Sequence, residues 1–200
     1  MKTLCYADDT WGPVEGTNYL MTHEDVILVD ADDHEIGTEE KLKAHQRGHL
    51  HRAFSVMIWD GRGRLLLQRR QINKYHSGGL WTNSCCGHPR PGEQSREAAM
   101  RRLGEEMGIS CPLEPIGTFT YRAELGDGLV EHELVHLFRG VYDGAVAPDP
   151  SECDGFSWSA PEAIQSQIRA VPHCFSAWFV KYADAGWPVA PPVDLVLPEL

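Results

Sequence analysis

Apolar residues in the first part of the chain form short runs of the length of β-strands, bounded by acidic or glycine-rich stretches. The apolar run Val26 to Val29 stops at the acidic stretch Asp30 to Asp33, which is typical of a buried strand and its end. Ala53 to Trp59 and Arg64 to Gln68 flank the glycine-rich stretch Asp60 to Gly63. These two segments therefore predict a β-hairpin.

Residues 93–107 have helical spacing instead. Their apolar side chains recur at intervals of one, three and four: Ala99, Met100, Leu103 and Met107. Gly108 follows directly and is a typical helix stop. The pattern predicts one amphipathic helix with charged residues beside its apolar face.

The second half of the chain continues the mixture of strands and helices. Ile116 to Ala123 and Leu129 to Tyr142 predict two strands joined by a turn at residues 126–128, and Pro161 to Ile168 and Ser176 to Ala185 predict helices. We therefore predict an α+β fold, a sandwich in which helices flank a mainly antiparallel or mixed sheet.

One domain accounts for this pattern. A chain of 200 residues that is 42% hydrophobic buries one sizeable core, and we see no internal repeat. We expect an irregular extension at residues 1–22, the folded domain at residues 23–187 and a proline-rich tail at residues 188–200.

Charge and hydropathy exclude several partners. The net charge of −11 argues against a nucleic-acid partner, which needs a broad basic surface. No segment approaches the roughly 18 apolar residues of a membrane span, and Met1 to Leu20 lacks the pattern of a signal peptide. We expect a cytoplasmic protein with no membrane partner, and favour a monomer while leaving the oligomeric state open.

The six cysteines form no paired CxxC spacing. A chain of this size does not need disulfides to stabilise its core, so we expect reduced thiols, one of which could be catalytic.

A linked motif covers residues 81–109. Gly87 is followed by five residues and Glu93, then by seven residues and the run Arg101-Arg102-Leu103-Gly104-Glu105-Glu106-Met107-Gly108-Ile109. The pattern resembles the Nudix box, Gly-x5-Glu-x7-Arg-Glu-U-x-Glu-Glu-x-Gly-U with U aliphatic, whose carboxylates collect around Mg²⁺ and a diphosphate. The box expects Glu where this chain has Arg102. That exchange removes a hard oxygen ligand and supplies a guanidinium fork suited to phosphate.

The altered box and its surroundings resemble the type 1 isopentenyl-diphosphate isomerases, a Nudix-fold family, over about Glu24 to Trp178. The motifs that carry the resemblance are Trp81-Thr82-Asn83-Ser84-Cys85-Cys86-Gly87-His88-Pro89, Arg101-Arg102-Leu103, Tyr121-Arg122-Ala123 and Glu131-His132-Glu133. The resemblance implies a Nudix-like fold and an enzyme of isoprenoid biosynthesis. Such an enzyme interconverts isopentenyl and dimethylallyl diphosphate, small-molecule substrates, by moving protons at two carbons.

The resemblance also implies the catalytic residues. It places Cys86 at the catalytic thiol, Glu133 at a metal-linked catalytic carboxylate and Tyr121 at a phenol that relays a proton. Cys85 competes with Cys86, but the match to Cys-Gly-His-Pro favours Cys86. Which group gives the proton and which takes it stays open.

Two metal sites are implied by the same resemblance. One Mn²⁺ or Zn²⁺ would be held by five side chains: His45, His51, His88, Glu131 and Glu133. His49 is an alternative to His51, which we choose because it directly precedes Arg52-Ala53-Phe54-Ser55. Mg²⁺ would accompany the diphosphate at Glu106 and the carbonyl of Cys86. Glu105 is turned about 100° away around the helix and reads as a surface acid.

The remaining implied residues bind substrate. The cations around the diphosphate are Lys41, Arg70, Lys74 and Arg102, whereas the neighbouring Lys43 and Arg69 read as solvated charges. Trp178 would lie over the isoprenoid, where its ring face stabilises positive charge. Trp178 also fits an ordinary core position of an amphipathic helix.

Two other functions are compatible with parts of the pattern. A Nudix hydrolase would cleave a nucleoside or isoprenoid diphosphate, but Arg102, Cys86 and Glu133 count against it. A noncatalytic metal-stabilised or diphosphate-sensing module would keep the histidines without needing a placed thiol. The box helix alone could also carry only i,i+4 surface ion pairs.

Overall fold

The computed structural model describes residues 24–186, so the predicted N-terminal extension and proline-rich tail lie outside the described residues. The strands are β1 (Asp25–Val29), β2 (Glu35–Glu40), β3 (His51–Trp59), β4 (Leu65–Arg70), β5 (Trp81–Thr82), β6 (Cys85–Gly87), β7 (Glu114–Gly126), β8 (Leu129–Val141) and β9 (Cys153–Ser159). The helices are α1 (Lys41–Arg47), α2 (Ser95–Met107), α3 (Pro161–Ala170) and α4 (Ala177–Asp184), with a 3₁₀ turn at Pro172–Cys174.

Strand β3 is the centre of one mixed sheet. It pairs in parallel with β8, in unbroken register from His51 opposite Glu133 to Trp59 opposite Val141. It pairs antiparallel with β1, β4 and β6, and β8 forms a long antiparallel hairpin with β7. The predicted mixed, mainly antiparallel sheet is confirmed.

Helices cover both faces of the sheet because side chains alternate along β3. Phe54, Val56 and Ile58 pack with the apolar face of α2. Met57 and Trp59 belong to a second cluster, with side chains from α3 and α4. Each of these five side chains is at most 1% exposed. The predicted sandwich of helices around a sheet is therefore also confirmed.

The predicted hairpin at residues 53–68 forms only at its turn. Trp59 lies opposite Leu65, after which β4 pairs with β9 and β5. The buried Asp60 carboxylate fixes the turn by accepting from the backbone N–H groups of Arg62 and Arg64. The strands separate because each has a more extensive partner elsewhere in the sheet.

Helix α2 begins later than the spacing predicts, and the placement of Glu93 on it is wrong. Gly92 has φ of +80°, which ends the preceding segment in a turn, and the helix starts at Ser95. Glu93 accepts from the backbone N–H of Arg90 and binds the Arg101 guanidinium at 2.8 and 2.9 Å. Glu93 therefore lies in the turn before α2 and joins that turn to the helix through Arg101.

Several short elements were not predicted, notably β2, α1 and β9. Helix α1 has only seven residues, too few to show a helical period. The Glu40 carboxylate caps it by accepting from the N–H groups of Leu42 and Lys43, and Gly48 ends it at φ of +65°. These caps fix the orientation of Lys41 and His45 towards the site.

No helix within residues 24–186 is long and apolar enough to cross a membrane. Cys85, Cys86, Cys111 and Cys153 are free thiols as expected, but Cys174 is disulfide-bonded, so the expectation of reduced cysteines is wrong there.

Candidate active site

A cavity of about 550 Å³ opens beside β3, β6 and β8. It brings together most residues singled out from the sequence, namely Lys41, Arg70, Lys74, Cys86, His88, Arg102, Glu106, Tyr121, Glu131, Glu133 and Trp178. His45 and His51 lie behind this lining and are fully buried.

The two buried histidines are oriented by backbone carbonyls. Nδ1 of His45 lies 2.6 Å from the carbonyl of Lys41, and Nδ1 of His51 lies 2.9 Å from the carbonyl of His49. A carbonyl only accepts, so each Nδ1 carries a proton and each Nε2 is the ring atom turned towards the cluster. Both Nε2 atoms are buried without a hydrogen-bond partner among the described residues. This arrangement is typical of metal-ligating histidines.

Two carboxylates from β8 face these histidines. Oε2 of Glu131 lies 3.3 Å from Nε2 of His45, and Oε1 of Glu133 lies 2.8 Å from Nε2 of His88 and 3.7 Å from that of His51. Ligand atoms of the three histidines and Glu133 all lie within 4.8 Å of one another. Three imidazoles with carboxylates suit Mn²⁺ or Zn²⁺, so the residues fit the metal site implied by the sequence. We name them the His/Glu cluster: His45, His51, His88, Glu131 and Glu133.

Charge in the cluster is unevenly distributed. Burial raises the pKa of Glu131, and the neighbouring Glu133 raises it further. Burial also disfavours the Glu133 carboxylate, but His51 and His88 outweigh this and hold the pKa of Glu133 well below its usual range. Burial lowers the pKa of His88 to about 3, despite the attraction of Glu133. A cation would relieve the repulsion between the two carboxylates.

His49, the alternative ligand, is placed elsewhere. Its Nδ1 lies 2.7 Å from Oε2 of Glu39, and its side chain is 47% exposed. The structure thus brings His51, and not His49, into the cluster.

The two adjacent cysteines point to opposite faces of the sheet. Cys86 lies opposite Ser55 in the β3–β6 pairing and lines the cavity. Cys85 is fully buried in the cluster that packs against α2. Burial raises the pKa of the Cys86 thiol to about 12 despite the nearby Arg70 guanidinium, so this group is a neutral acid near pH 7.

Tyr121 connects the cavity to the His/Glu cluster. Its phenol donates to Oε2 of Glu133 over 2.7 Å. Burial raises the pKa of Tyr121 well above its ordinary value, with a further contribution from Glu131 and Glu133. The phenol therefore keeps its proton and remains a donor to the carboxylate.

The opposite side of the cavity holds the cations. Arg102 binds Oε1 of Glu106 at 2.6 Å and Oε2 of Glu105 at 2.8 Å. Glu106 is 5% exposed and also accepts from Gln68 at 3.0 Å, whereas the Glu105 side chain is 43% exposed. Glu106 therefore faces the site and Glu105 the solvent. Burial lowers the pKa of Arg102, but the carboxylates of Glu106 and Glu152 outweigh it and raise this pKa.

Trp178 serves both packing and the cavity. It is 3% exposed, its Nε1 donates to Oδ1 of Asn83 over 3.3 Å, and it belongs to the core cluster of α4. It also lines the cavity, where the Arg70 guanidinium lies 5.2 Å from its ring. A core position for Trp178 is therefore compatible with the predicted contact between its ring and the isoprenoid.

Glu152 and His76 are site residues that the sequence analysis missed. Glu152 forms ion pairs with Lys74 and, at 3.2 Å, with Arg102, and its position in a polar loop gave no signal. His76 lies 3.5 Å from Glu131, and its only signal was its place two residues after Lys74. Burial, followed by Arg70, lowers the pKa of His76 to about 2.

Comparison with known proteins identifies the class first. The NUDIX domain model matches residues 49–179. The crystal structure of DR0079 from Deinococcus radiodurans superposes with a TM-score of 0.69 at 18% identity, covering 82% of this chain and all of that one. The MutT protein of Methanosarcina mazei gives a TM-score of 0.54 at 22% identity, covering 68% of this chain and 91% of that one. These structures show the Nudix fold.

Sequence relatives define the family more narrowly. Isopentenyl-diphosphate Delta-isomerase of Burkholderia multivorans is 50% identical over 83% of this chain and 95% of its own. The proteins of the same name from Serratia proteamaculans and Streptomyces coelicolor are 50% and 48% identical, over 78% and 80% of this chain and 88% and 82% of their own. The chain therefore belongs to the isopentenyl-diphosphate Delta-isomerase family of Nudix proteins.

Proposed function

We propose that this protein interconverts isopentenyl diphosphate and dimethylallyl diphosphate by a 1,3-allylic proton rearrangement in isoprenoid biosynthesis. The observation that carries the proposal is the cavity lined by both the Cys86 thiol and the Tyr121–Glu133 pair. The reaction needs one group to add a proton to carbon and another to remove one. Substrate and product have the same atoms, so no leaving group or oxidant is required.

The diphosphate would bind at the basic side of the cavity. Arg70 and Arg102 supply forked donors, and Lys41 and Lys74 supply point charges. Arg102 already binds carboxylates, so its guanidinium is oriented for an anionic partner. Arg102 also stands where a Nudix hydrolase would have a metal-binding carboxylate, which favours binding of the diphosphate over its cleavage.

Metal ions complete this proposal. The His/Glu cluster would hold one Mn²⁺ or Zn²⁺, whose charge alters the acidity of Glu133. Glu106 and the carbonyl of Cys86 would hold Mg²⁺, which commonly joins phosphate oxygens to one or two carboxylates. The unpartnered Nε2 atoms of His45 and His51 support the first site, and the buried, cavity-lining carboxylate of Glu106 supports the second.

Protons would move between the hydrocarbon and two protein groups, the thiol and the carboxylate. Cys86 and Glu133 each face the bound hydrocarbon; one donates a proton to an alkene carbon and the other accepts one from the allylic carbon. The Tyr121 phenol donates a hydrogen bond to Oε2 of Glu133 and would relay a proton to or from this carboxylate. The ring of Trp178 would stabilise the positive charge that develops on the hydrocarbon.

The setting of the reaction follows from the same features. A net charge of −11 with a local group of cations supports a small-molecule diphosphate substrate and no nucleic-acid partner. Four of the described cysteines are free thiols, whereas Cys174 is disulfide-bonded. Because the Cys86 thiol must stay reduced to exchange a proton, we place the activity in the cytoplasm. We further propose a monomer with no membrane partner.

Incubation with isopentenyl diphosphate, Mg²⁺ and Mn²⁺ in deuterated water, followed by NMR, tests the proposal. We expect deuterium-labelled dimethylallyl diphosphate without release of phosphate. Released phosphate would instead identify a hydrolase. Unchanged substrate in the presence of fully metal-loaded protein would overturn catalysis and favour a binding module.

A further inference from the structure

His76 lies in the loop between β4 and β5, and its side chain is 8% exposed. Backbone contacts hold this loop at its base: Arg70 and Leu80 are joined by a 2.9 Å hydrogen bond, and Gly79 donates to the carbonyl of Arg70 over 2.9 Å. The Arg70 guanidinium also donates to the carbonyl of His76. The imidazole of His76 takes no part in these contacts, so its role is separate from holding the loop.

The imidazole lies between a hydroxyl and a carboxylate. Its Nδ1 is 3.2 Å from Oγ of Ser77, and its Nε2 is 3.5 Å from Oε1 of Glu131. A neutral imidazole has one N–H donor and one acceptor, and an ionised carboxylate only accepts. The consistent assignment has Ser77 donating to Nδ1 and the N–H at Nε2 directed at Glu131.

The two oxygens of Glu131 therefore have different surroundings. Oε1 faces His76, whereas Oε2 faces Nε2 of His45 at 3.3 Å and is buried without a hydrogen-bond partner among the described residues. Ligand atoms of His45, His76 and Glu131 lie within 4.8 Å of one another, so His76 borders the His/Glu cluster directly.

We propose that His76 is a positioning residue of this metal site: its Nε2, which lies 3.5 Å from Oε1 of Glu131, would donate to this oxygen in the metal-loaded protein and leave Oε2, beside His45, for the metal. The inference rests on the metal site proposed above. Partners of this kind orient ligands and fix which atom binds. The loop that carries His76 also carries Lys74, so the same segment serves the metal site and the diphosphate side of the cavity.

Three variants separate this role from a general effect on the loop. His76→Ala removes the donor, His76→Gln supplies an amide N–H that reaches Glu131, and Tyr75→Phe keeps the ring that packs edge-on against His76 at 4.4 Å. The affinity of each purified full-length protein for Mn²⁺ is measured by competition with a chelator. Electron paramagnetic resonance of bound Mn²⁺ then reports the symmetry of its ligands.

We expect His76→Ala to weaken Mn²⁺ binding by about 10–100-fold and to change the resonance spectrum, because Glu131 is free to bind with both oxygens. His76→Gln and Tyr75→Phe should both stay close to the unmodified protein in affinity and spectrum. Equal Mn²⁺ affinity in His76→Ala and the unmodified protein would overturn the inference. So would a His76→Gln variant as weak as His76→Ala, because a hydrogen bond would then not be what the site needs.

Mn²⁺ binding and isomerisation by the unmodified protein test the proposed metal site and the proposed reaction separately from the role of His76. Failure of the unmodified protein to bind Mn²⁺ would remove the metal site and the role of His76 together. Binding of Mn²⁺ without isomerisation would remove only the proposed reaction and leave the role of His76 to be decided by the variants.

Discussion

The phenol of Tyr121 donates a 2.7 Å hydrogen bond to Oε2 of Glu133. The other oxygen of this carboxylate lies 2.8 Å from Nε2 of His88. One oxygen is thus committed to the histidines and the other to the phenol. Glu133 thus joins the histidines of the His/Glu cluster to the phenol of Tyr121, and both Glu133 and Tyr121 line the cavity.

Replacement of Tyr121 by Phe removes this connection without changing the ring. We expect kcat to fall by about 10–100-fold with little change in KM, because the phenol contacts Glu133 and not the diphosphate. Steady-state kinetics with isopentenyl diphosphate measures the effect, with metal content as the control. An unchanged kcat would exclude a relay through Tyr121.

The adjacent cysteines provide a matched pair of variants. Cys86→Ala should lower isomerisation by about 10²–10⁴-fold, the contribution of a positioned acid or base, while metal content stays intact. Cys85→Ala should keep most activity, because the Cys85 side chain is fully buried against α2 on the other face of the sheet. Equal losses in both variants, at equal folded fractions by circular dichroism, would contradict the assignment of the thiol.

Neighbouring glutamates on α2 provide a second pair. Glu106→Gln should weaken Mg²⁺ binding, raising the Mg²⁺ concentration for half-maximal rate by about tenfold, or about 1.4 kcal/mol. Glu105→Gln should change it little, because the side chain is 43% exposed and pairs with Arg101 and Arg102. Titration of the rate with Mg²⁺ compares the two. A larger effect in Glu105→Gln would reverse the roles proposed for these carboxylates.

Removal of the metal should destabilise the fold. Without a cation, the buried carboxylates of Glu131 and Glu133 repel each other. A ligand at 100 times its dissociation constant stabilises the folded state by about 2.7 kcal/mol, so chelation should lower Tm by about 5–10 °C. Thermal unfolding with a chelator, and after Mn²⁺ or Zn²⁺ is restored, measures this. Identical Tm values would mean that the His/Glu cluster binds no metal.

The contact between Glu93 and Arg101 should give a defined dependence of stability on pH. The hydrogen bonds from Arg101 outweigh partial burial and lower the pKa of Glu93 in the folded protein below its ordinary value of 4.5. The ionised carboxylate therefore stabilises the fold above the unfolded pKa, and this contribution is lost as pH falls through the folded pKa.

Comparison of the unmodified protein with Glu93→Gln tests that sign. We expect the variant to be less stable by about 1 kcal/mol at neutral pH, and the difference to shrink progressively below about pH 5. Denaturant unfolding at several pH values measures it. A difference that grows on acidification would show that the folded pKa of Glu93 is raised, not lowered.

The sequence carried enough information for the regular elements and for side chains that share one element. Glu131 and Glu133 are two residues apart on β8, so alternation alone places both on one face. Cys85 and Cys86 are adjacent on β6, so the same alternation places them on opposite faces of the sheet. The helical spacing before Gly108 likewise predicted α2, because its apolar face packs directly against the sheet.

Local spacing did not predict the turn at Glu93 or the contacts between segments that are distant in sequence. Glu93 acts from a turn because Gly92 ends the preceding segment, and helical spacing alone gave no warning of it. His76 reaches Glu131 across 55 residues of sequence, and Glu152 reaches Arg102 across 50, since β4 pairs with β9 and β3 with β8. Such pairings depend on the whole sheet and leave no local pattern.

The parallel register of β3 and β8 also determines when in folding a metal can bind. His51 and Glu133 become neighbours only after the two strands pair across the intervening chain, and His45 and His88 join them from other segments. Closing such long loops is slow compared with forming local contacts. An ion held by the His/Glu cluster would therefore not nucleate this fold as it does in a zinc finger; we expect the chain to fold first and metal to load late, on an assembled sheet.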